Sequence, residues 1–491
     1  MAMELDLYFT DVFEVSENDL ERYGAFNISL VTDLPLFIDP FLLFNSKKKE
    51  YQELHDNIIN YLRFLKAKSE AGGVNNALLK AWYYFSEVKQ NWLGFCTIRN
   101  TGRGLRQEFA EALNRNLVLV FKDFGNERIT RGSHLEKLCL IKSGVGRDMI
   151  SDFTTNLIKD FLLTYTEQFA LKHISPTQRK SVAVSKSYFD YDLERWMPKT
   201  YVLPFYDGDY VILTPKDILT KDDTWINSTD MISNFEDIPA AVENDVLRAQ
   251  INNYFLSMIP KKRKPKKDDY VRATWETLKK YPELMDYYIK MKEDNGDQAL
   301  ANSNFKVSDS SRLYVKQFKE LVFLLNNHTN FYKVPGTTKE ETKQKIEFLK
   351  DVIENKGGHR IFYLRGKPAL KESDLHILYR LTWHRTPSDV SREVNDGRGP
   401  ADFKISRGAY DKTLVEFKFA SNPRLSRNLA RQLDVYKKAS DAETGYKVIV
   451  YFSKQELNRV KGIIKELKME RDPNIFLVDA RKDNKPSASK A

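Results

Sequence analysis

The chain has 491 residues, 42% hydrophobic and 12% aromatic, with a formal net charge of +10. That length predicts two or three domains, and that composition belongs to a folded chain, which excludes a disordered one. No apolar run approaches the roughly 20 residues of a membrane span, so no membrane association is expected, and the positive balance suits a polyanionic partner.

The N-terminus, Met1 to Asp6, lacks the basic and apolar regions of a secretory signal. Two cysteines, Cys96 and Cys139, suit a reducing compartment and are expected to pack as small apolar residues. The expected location is cytoplasmic.

Residues 1–255 read as a mainly helical N-terminal domain with a small β element. Pro35 and Pro40 stiffen an apolar segment. Tyr51 to Lys66 predicts a helix with Leu54, Ile58, Tyr61 and Leu62 on one face, and Trp82 to Trp92 continues an aromatic-rich helical character. Gly144 to Gly146 precede Asp148, Asp152 and Asn156, spaced at i, i+4 and i+8 on a helix running on through Phe161 and Leu162. That acidic stripe suits a metal or partner site; glycine-assisted helix initiation, with acids at the positive helix end, is the favoured account. Asp190-Tyr191-Asp192 is expected to be surface acid. Val202 to Leu213 predicts a hairpin turning at Asp207-Gly208.

Residues 256–350 read as a basic linker and helical connector. Lys261, Lys262 and Arg263 open the sharpest basic run, which suits a nuclear-import signal or an exposed linker that also binds phosphate, and they are candidate nucleic-acid contacts. Helices are predicted from Thr274 to Glu293 and from Ser311 to Asn327. The tail from Arg481 to Ala491 is expected to be disordered. No Walker A, dinucleotide-binding or H-E-x-x-H pattern is present, and the seven histidines do not cluster at zinc spacing. His376 and His384 are read as structural or surface histidines.

Residues 351–480 carry the chemistry. Gly397-Arg398-Gly399-Pro400-Ala401-Asp402-Phe403 ends one strand in an acid, and Thr413 to Phe419 predicts the next. Side chains at i and i+2 of a strand share a face, so Glu416 and Lys418 project together. If the two strands pair, Asp402 joins them. Two carboxylates and an ammonium at a sheet edge suit a hard divalent cation and an activated water, the apparatus of metal-dependent phosphodiester hydrolysis. Lys447 to Phe452 and Asn474 to Asp479 predict further strands, with a helix from Lys454 to Met469 between them. The expected whole is an α+β multidomain chain ending in a mixed α/β sandwich. Arg424, Arg427 and Arg431 fall at i, i+3 and i+7 beside a Leu425, Leu429, Leu433 stripe. They suit either a phosphate contact or a solvated face.

The order of Gly-Arg-Gly-Pro, strand, Glu416-Phe417-Lys418, strand and Gln432-x-x-x-Tyr436 resembles the PD-(D/E)XK, or restriction-endonuclease-like, nuclease superfamily in its RecB-like form. The resemblance implies a restriction-endonuclease-like sandwich in which Asp402 and Glu416 hold Mg²⁺ or Mn²⁺ and Lys418 completes the site. Gln432 would hold water or phosphate, and Tyr436 would contact the nucleic-acid backbone or pack beneath the site. Ala401 departs from the family spacing. A further acid is common in the family, and Glu372, Asp374 and Glu393 are the candidates. The expected function is Mg²⁺-dependent cleavage of nucleic acid, with DNA the expected partner. By analogy of architecture the setting is bacterial restriction or antiphage defence, with a homodimer or a partner protein in view. An RNA nuclease, or a catalytically silent nucleic-acid-binding protein on the same fold, is the alternative.

Overall fold

The computed structural model describes residues 7–94, 105, 107–119, 124–141, 146–221, 223–260, 264–333, 336–368, 371–383, 386, 388–395, 400–408, 411–430, 442 and 444–485. Among them no helix is long and apolar enough to cross a membrane.

The N-terminal region is built around helix Lys49–Ala71. Ile58, Tyr61, Leu62 and Leu65 recur at helical spacing and are buried along one face. Strand β1 (Leu36–Ile38) pairs antiparallel with β5 (Leu219–Lys221), so a segment near residue 220 closes onto one near residue 37. The segment from Trp82 to Trp92 departs from the expected helix. Helix Asn76–Trp82 ends there, and Phe85 exchanges two backbone hydrogen bonds with Leu105 (3.0 and 2.8 Å). Those bonds fix the chain at Phe85, a 3-10 turn follows over Lys89–Asn91, and Trp82, Tyr83 and Phe85 are buried. Helices Arg147–Leu157 and Lys159–His173 are separate, divided at Ile158. The expected continuous helix breaks because Ile158 leaves helical geometry (φ −101°, ψ 18°).

The β element is larger than expected. Strands β2 (Arg179–Asp190) and β3 (Arg195–Tyr206), twelve residues each, form an antiparallel hairpin with an irregularity between Val184 and Tyr188. Asp190 closes its turn, its Oδ1 accepting from the backbone N–H groups of Asp192 (3.0 Å) and Leu193 (2.9 Å). The expected second turn follows: Asp207 and Gly208 both take positive φ (47° and 82°) between β3 and β4 (Asp209–Tyr210). Two positive φ values suit a tight two-residue hairpin.

Helix Asp245–Met258 runs across the expected boundary at residue 255, and the connector continues with helices Lys267–Lys280, Leu284–Asp294 and Gly296–Ser311, a π-helical stretch over Arg312–Gln317, and helix Phe318–His328. Pro282 lies in the break that divides the helix expected from Thr274 to Glu293. Helix Thr338–Asn355 packs on the C-terminal sheet as well as on the connector helix Phe318–His328, so the sandwich takes in residues before 351. Its start is fixed by a capping box between Thr337 and Glu340.

After the small hairpin of β6 (Tyr363–Leu364) and β7 (Lys367–Pro368) comes helix Glu372–Thr382. A five-stranded mixed sheet follows, made of β8 (Asp389–Asn395), β9 (Pro400–Arg407), β10 (Asp411–Phe419), β11 (Thr444–Tyr451) and β12 (Ile475–Asp479). Its order is β12-β11-β10-β9-β8, with β8, β9 and β10 antiparallel and β10, β11 and β12 parallel. Period-2 alternation divides β10. Val415, Phe417 and Phe419 join the main core beside helices Thr338–Asn355 and Glu372–Thr382. On the opposite face, Ala420, Ile449 and Tyr451 pack with Leu425, Leu429, Val460 and Ile464. The last two sit on helix Lys454–Glu466.

The main core is continuous from Leu7 to Ala480. Tyr8 donates its hydroxyl to the Tyr314 carbonyl, and the Tyr314 hydroxyl donates to Asp374. The expected disorder of the tail does not extend to its first residues. Arg481 Nη2 lies 2.6 Å from Asp479 Oδ2, and Asn484 Nδ2 donates to the same oxygen at 2.9 Å. Residues from 486 onward lie outside the described residues.

Candidate active site

Strands β9 and β10 place the candidate residues. Val415 opposes Phe403, both turned to the core, so Asp402 and Glu416, one step along each strand, share the other face. The Phe417 N–H donates to Asp402 Oδ2 at 2.7 Å. Lys418 Nζ lies 3.1 Å from Asp402 Oδ2 and 3.5 Å from Glu416 Oε1. The three side chains are 13%, 5% and 12% exposed for Asp402, Glu416 and Lys418. Charges that deep need partners, and here they are one another's.

Of the candidate third acids, the structure brings Glu372 close. Its Oε1 accepts from the Phe419 N–H (3.1 Å) and from Asn422 Nδ2 (2.8 Å). Asp374 turns away into the interface with the connector. There it meets the Tyr314 hydroxyl, Lys221 Nζ (3.4 Å) and the Lys371 N–H (3.0 Å). Glu393 lies on β8, and its side chain is outside the described residues.

His376 corrects the expectation of a bystander. Its Nε2 lies 3.3 Å from Asp402 Oδ2, and its ring meets Phe403 edge-on at 5.6 Å. The signal was present in the sequence: His376 follows Glu372 at i+4, so the two share a helix face.

Electrostatics separates the two acids. Burial pushes Asp402 up, but His376 and Lys418 outweigh it and hold the carboxyl at about 2. Burial pushes Glu416 up to about 7, with the Asp402 charge adding to the push and Lys418 and Lys447 opposing it. Burial works against the Lys418 ammonium, yet Asp402, Glu416 and Glu372 together raise its pKa. Lys418 is therefore a fixed cation, and of the two acids Glu416 is the one poised to change protonation near neutrality.

The helix over 425–430 crosses the same face. Lys447, opposite Glu416 in the β10–β11 register, donates from Nζ to the Leu429 carbonyl at 3.0 Å. Arg427 is exposed on this helix, and Arg424 is exposed in the turn before it. Arg431, Gln432 and Tyr436 lie outside the described residues, as do His384, Lys261, Lys262 and Arg263.

The donor set fits Mg²⁺ chemically. Asp402 and Glu416 offer hard oxygen ligands, and Mg²⁺ binds through one or two carboxylates while keeping water and substrate oxygens. Among the described residues no group of three or more His, Cys, Asp and Glu side chains is gathered as metal ligands. The protein's share would be these two carboxylates.

Residues 14–227 match a domain of unknown function (DUF8370), and residues 338–454 match another (DUF8371). The second match opens at the first residue of helix Thr338–Asn355 and contains Asp402, Glu416, Lys418, Glu372 and His376. No curated protein and no solved structure matches the chain.

Proposed function

We propose that the chain is a metal-dependent nuclease of the PD-(D/E)XK type that hydrolyses phosphodiester bonds in DNA. The observation that carries this reading is the convergence of Asp402, Glu416 and Lys418 at paired strands of a mixed sheet with helices on both faces. Bound Mg²⁺ would supply an activated water and neutralise charge on the attacked phosphate. Asp402 and Glu416 would hold it. Lys418, charged and buried, would orient the water and offset negative charge developing on the phosphate oxygens. Glu372 steadies the end of β10 through the Phe419 N–H, and His376 keeps Asp402 ionised. The cellular setting, restriction or antiphage defence, is proposed from architecture: a nuclease layer joined to a large N-terminal region.

The test is cleavage of supercoiled plasmid, linear duplex, single-stranded DNA and RNA by the purified chain. Mg²⁺, Mn²⁺ and EDTA are compared, beside Lys418→Ala. Metal-dependent cutting of DNA that the substitution abolishes supports the reading. Preferential cutting of RNA reassigns the substrate. Cutting that survives Lys418→Ala overturns the site.

A further inference from the structure

Away from Asp402, an open cleft of about 1790 Å³ lies where the connector, the turn after helix Thr338–Asn355 and the first tail residues meet. Its wall is cationic. Arg312 and Lys316 come from the π-helical stretch, Lys356 and Arg360 from the turn, and Lys482 from the tail. None of the five has an ion-pair partner among the described residues. The lining acids do not balance them. Glu17, Glu21 and Glu354 are held by Lys319, Lys216 and Lys350, which leaves Glu320 and Asp483 against five cations.

The backbone sets this wall deliberately. Gly357 takes φ 82° and ends the helix, and Gly358 sits so close to Val352 that a Cβ would meet its carbonyl at 2.9 Å. The turn is thereby folded in, and it carries Lys356, His359 and Arg360 to the cleft. His359 is 8% exposed, and its Nδ1 is buried without a hydrogen-bond partner. A polar atom left so is costly unless an occupant meets it. The π-helical stretch opposite is a wider, less stable winding that recurs at functional sites.

We infer that this cleft binds a small ligand bearing several phosphates, which bridges the cations of the connector, the turn and the tail. A multi-phosphate fits because the cations come from three separate segments, so a single anionic group could not reach all of them. A small ligand is favoured over a polymer because the five cations line one cleft rather than a stripe across the surface. Burial, followed by the nearby Lys485, Arg360 and Lys482, lowers the His359 pKa to about 4, with Asp479 opposing. The inference does not rest on the nuclease reading.

The test uses the full chain in EDTA with tripolyphosphate as the probe, so cleavage plays no part. Calorimetry reads affinity, and lysine acetylation followed by mass spectrometry reads occupancy. Lys316, Lys356 and Lys482 are expected to be protected by tripolyphosphate, with exposed Lys461 on helix Lys454–Glu466 unprotected. Lys316→Glu, Lys356→Glu and Arg360→Glu together should weaken binding at least about tenfold. The Lys461→Glu, Lys465→Glu control should stay within about twofold. The footprint on the unmodified chain decides the matter even if the triple variant fails to fold. No binding, or binding that leaves these lysines unprotected, overturns the inference. A single-stranded oligonucleotide that binds more tightly than tripolyphosphate and gives the same footprint also overturns it, and assigns the cleft to nucleic acid.

Discussion

His376 Nε2 stands 3.3 Å from Asp402 Oδ2, so an imidazole from one helix helps to keep a strand carboxylate charged. Asp402 is held at about 2 against an ordinary 3.8. A depressed acid contributes stability that is present above the unfolded pKa and lost as pH falls through the folded one. The whole shift corresponds to about 2 kcal/mol at neutral pH, and His376 supplies part of it. His376→Gln should therefore lower stability to urea at pH 5 by about 1 kcal/mol, with the difference from wild type shrinking by pH 3. An unchanged difference at pH 3 would assign the loss to packing against Phe403 instead.

Glu416 runs the other way. Its carboxyl is raised to about 7 from 4.5. Its contribution is intact below 4.5 and is lost as pH rises toward 7. Glu416→Gln should stabilise the metal-free chain at pH 8 by up to about 3 kcal/mol and change little at pH 4.5. In wild type, Mg²⁺ binding at pH 6.5 should release close to one proton, which calorimetry in buffers of different ionisation enthalpy measures.

Glu372 and Asp374 should part company. Glu372→Gln weakens the support of β10 beside Lys418, and cleavage is expected to fall about tenfold or more. Asp374→Asn loosens the Tyr314 and Lys221 contacts, so it should lower the melting temperature while leaving cleavage per folded molecule within about twofold. Equal losses of cleavage from both would refute the separation drawn between them.

Arg424 and Arg427 are the described part of the arginine stripe. If they meet phosphates, Arg424→Gln with Arg427→Gln should shallow the log–log salt dependence of DNA binding by roughly 1.5 to 2. An unchanged slope would make them a solvated surface.

His55 gives a prediction far from the site. It is 3% exposed, and its Nε2 has no hydrogen-bond partner among the described residues. Burial, with His134 adding to it, depresses its pKa to about 3 from 6.5. A histidine buried neutral contributes stability above 6.5 that is lost as pH falls below it. Wild type should lose about 2 kcal/mol between pH 6.5 and pH 5 from this group alone. His55→Leu should flatten that limb in urea titrations, and an equally steep limb in the variant would place the loss elsewhere.

The sequence made local periodicity legible and contacts across the fold illegible. Alternation along Thr413 to Phe419 put Glu416 and Lys418 on one face, and that is where they lie. Asp207-Gly208 announced its turn because few other pairs accept two positive φ values. The β2–β3 hairpin escaped notice because its strands are half exposed, β2 is rich in lysine and serine, and its turn from Tyr191 to Glu194 has no glycine. Asp190 closes that turn with its side chain instead. Asp374 and Glu372 are two residues apart and chemically alike, and only the position of Tyr314 in space tells them apart. His376 had the right spacing from Glu372, but its partner Asp402 lies on a strand whose distance no periodicity reports.

Tyr314 ties together stretches that stand more than three hundred residues apart, taking a hydroxyl from Tyr8 on its carbonyl and giving its own to Asp374. A fragment cut at residue 338 would carry Asp374 without that partner and bare the apolar surface beneath it. Modularity is therefore weak in this molecule. Heat should melt both halves in a single cooperative transition, and a chimera exchanging the C-terminal sandwich would have to bring the connector with it.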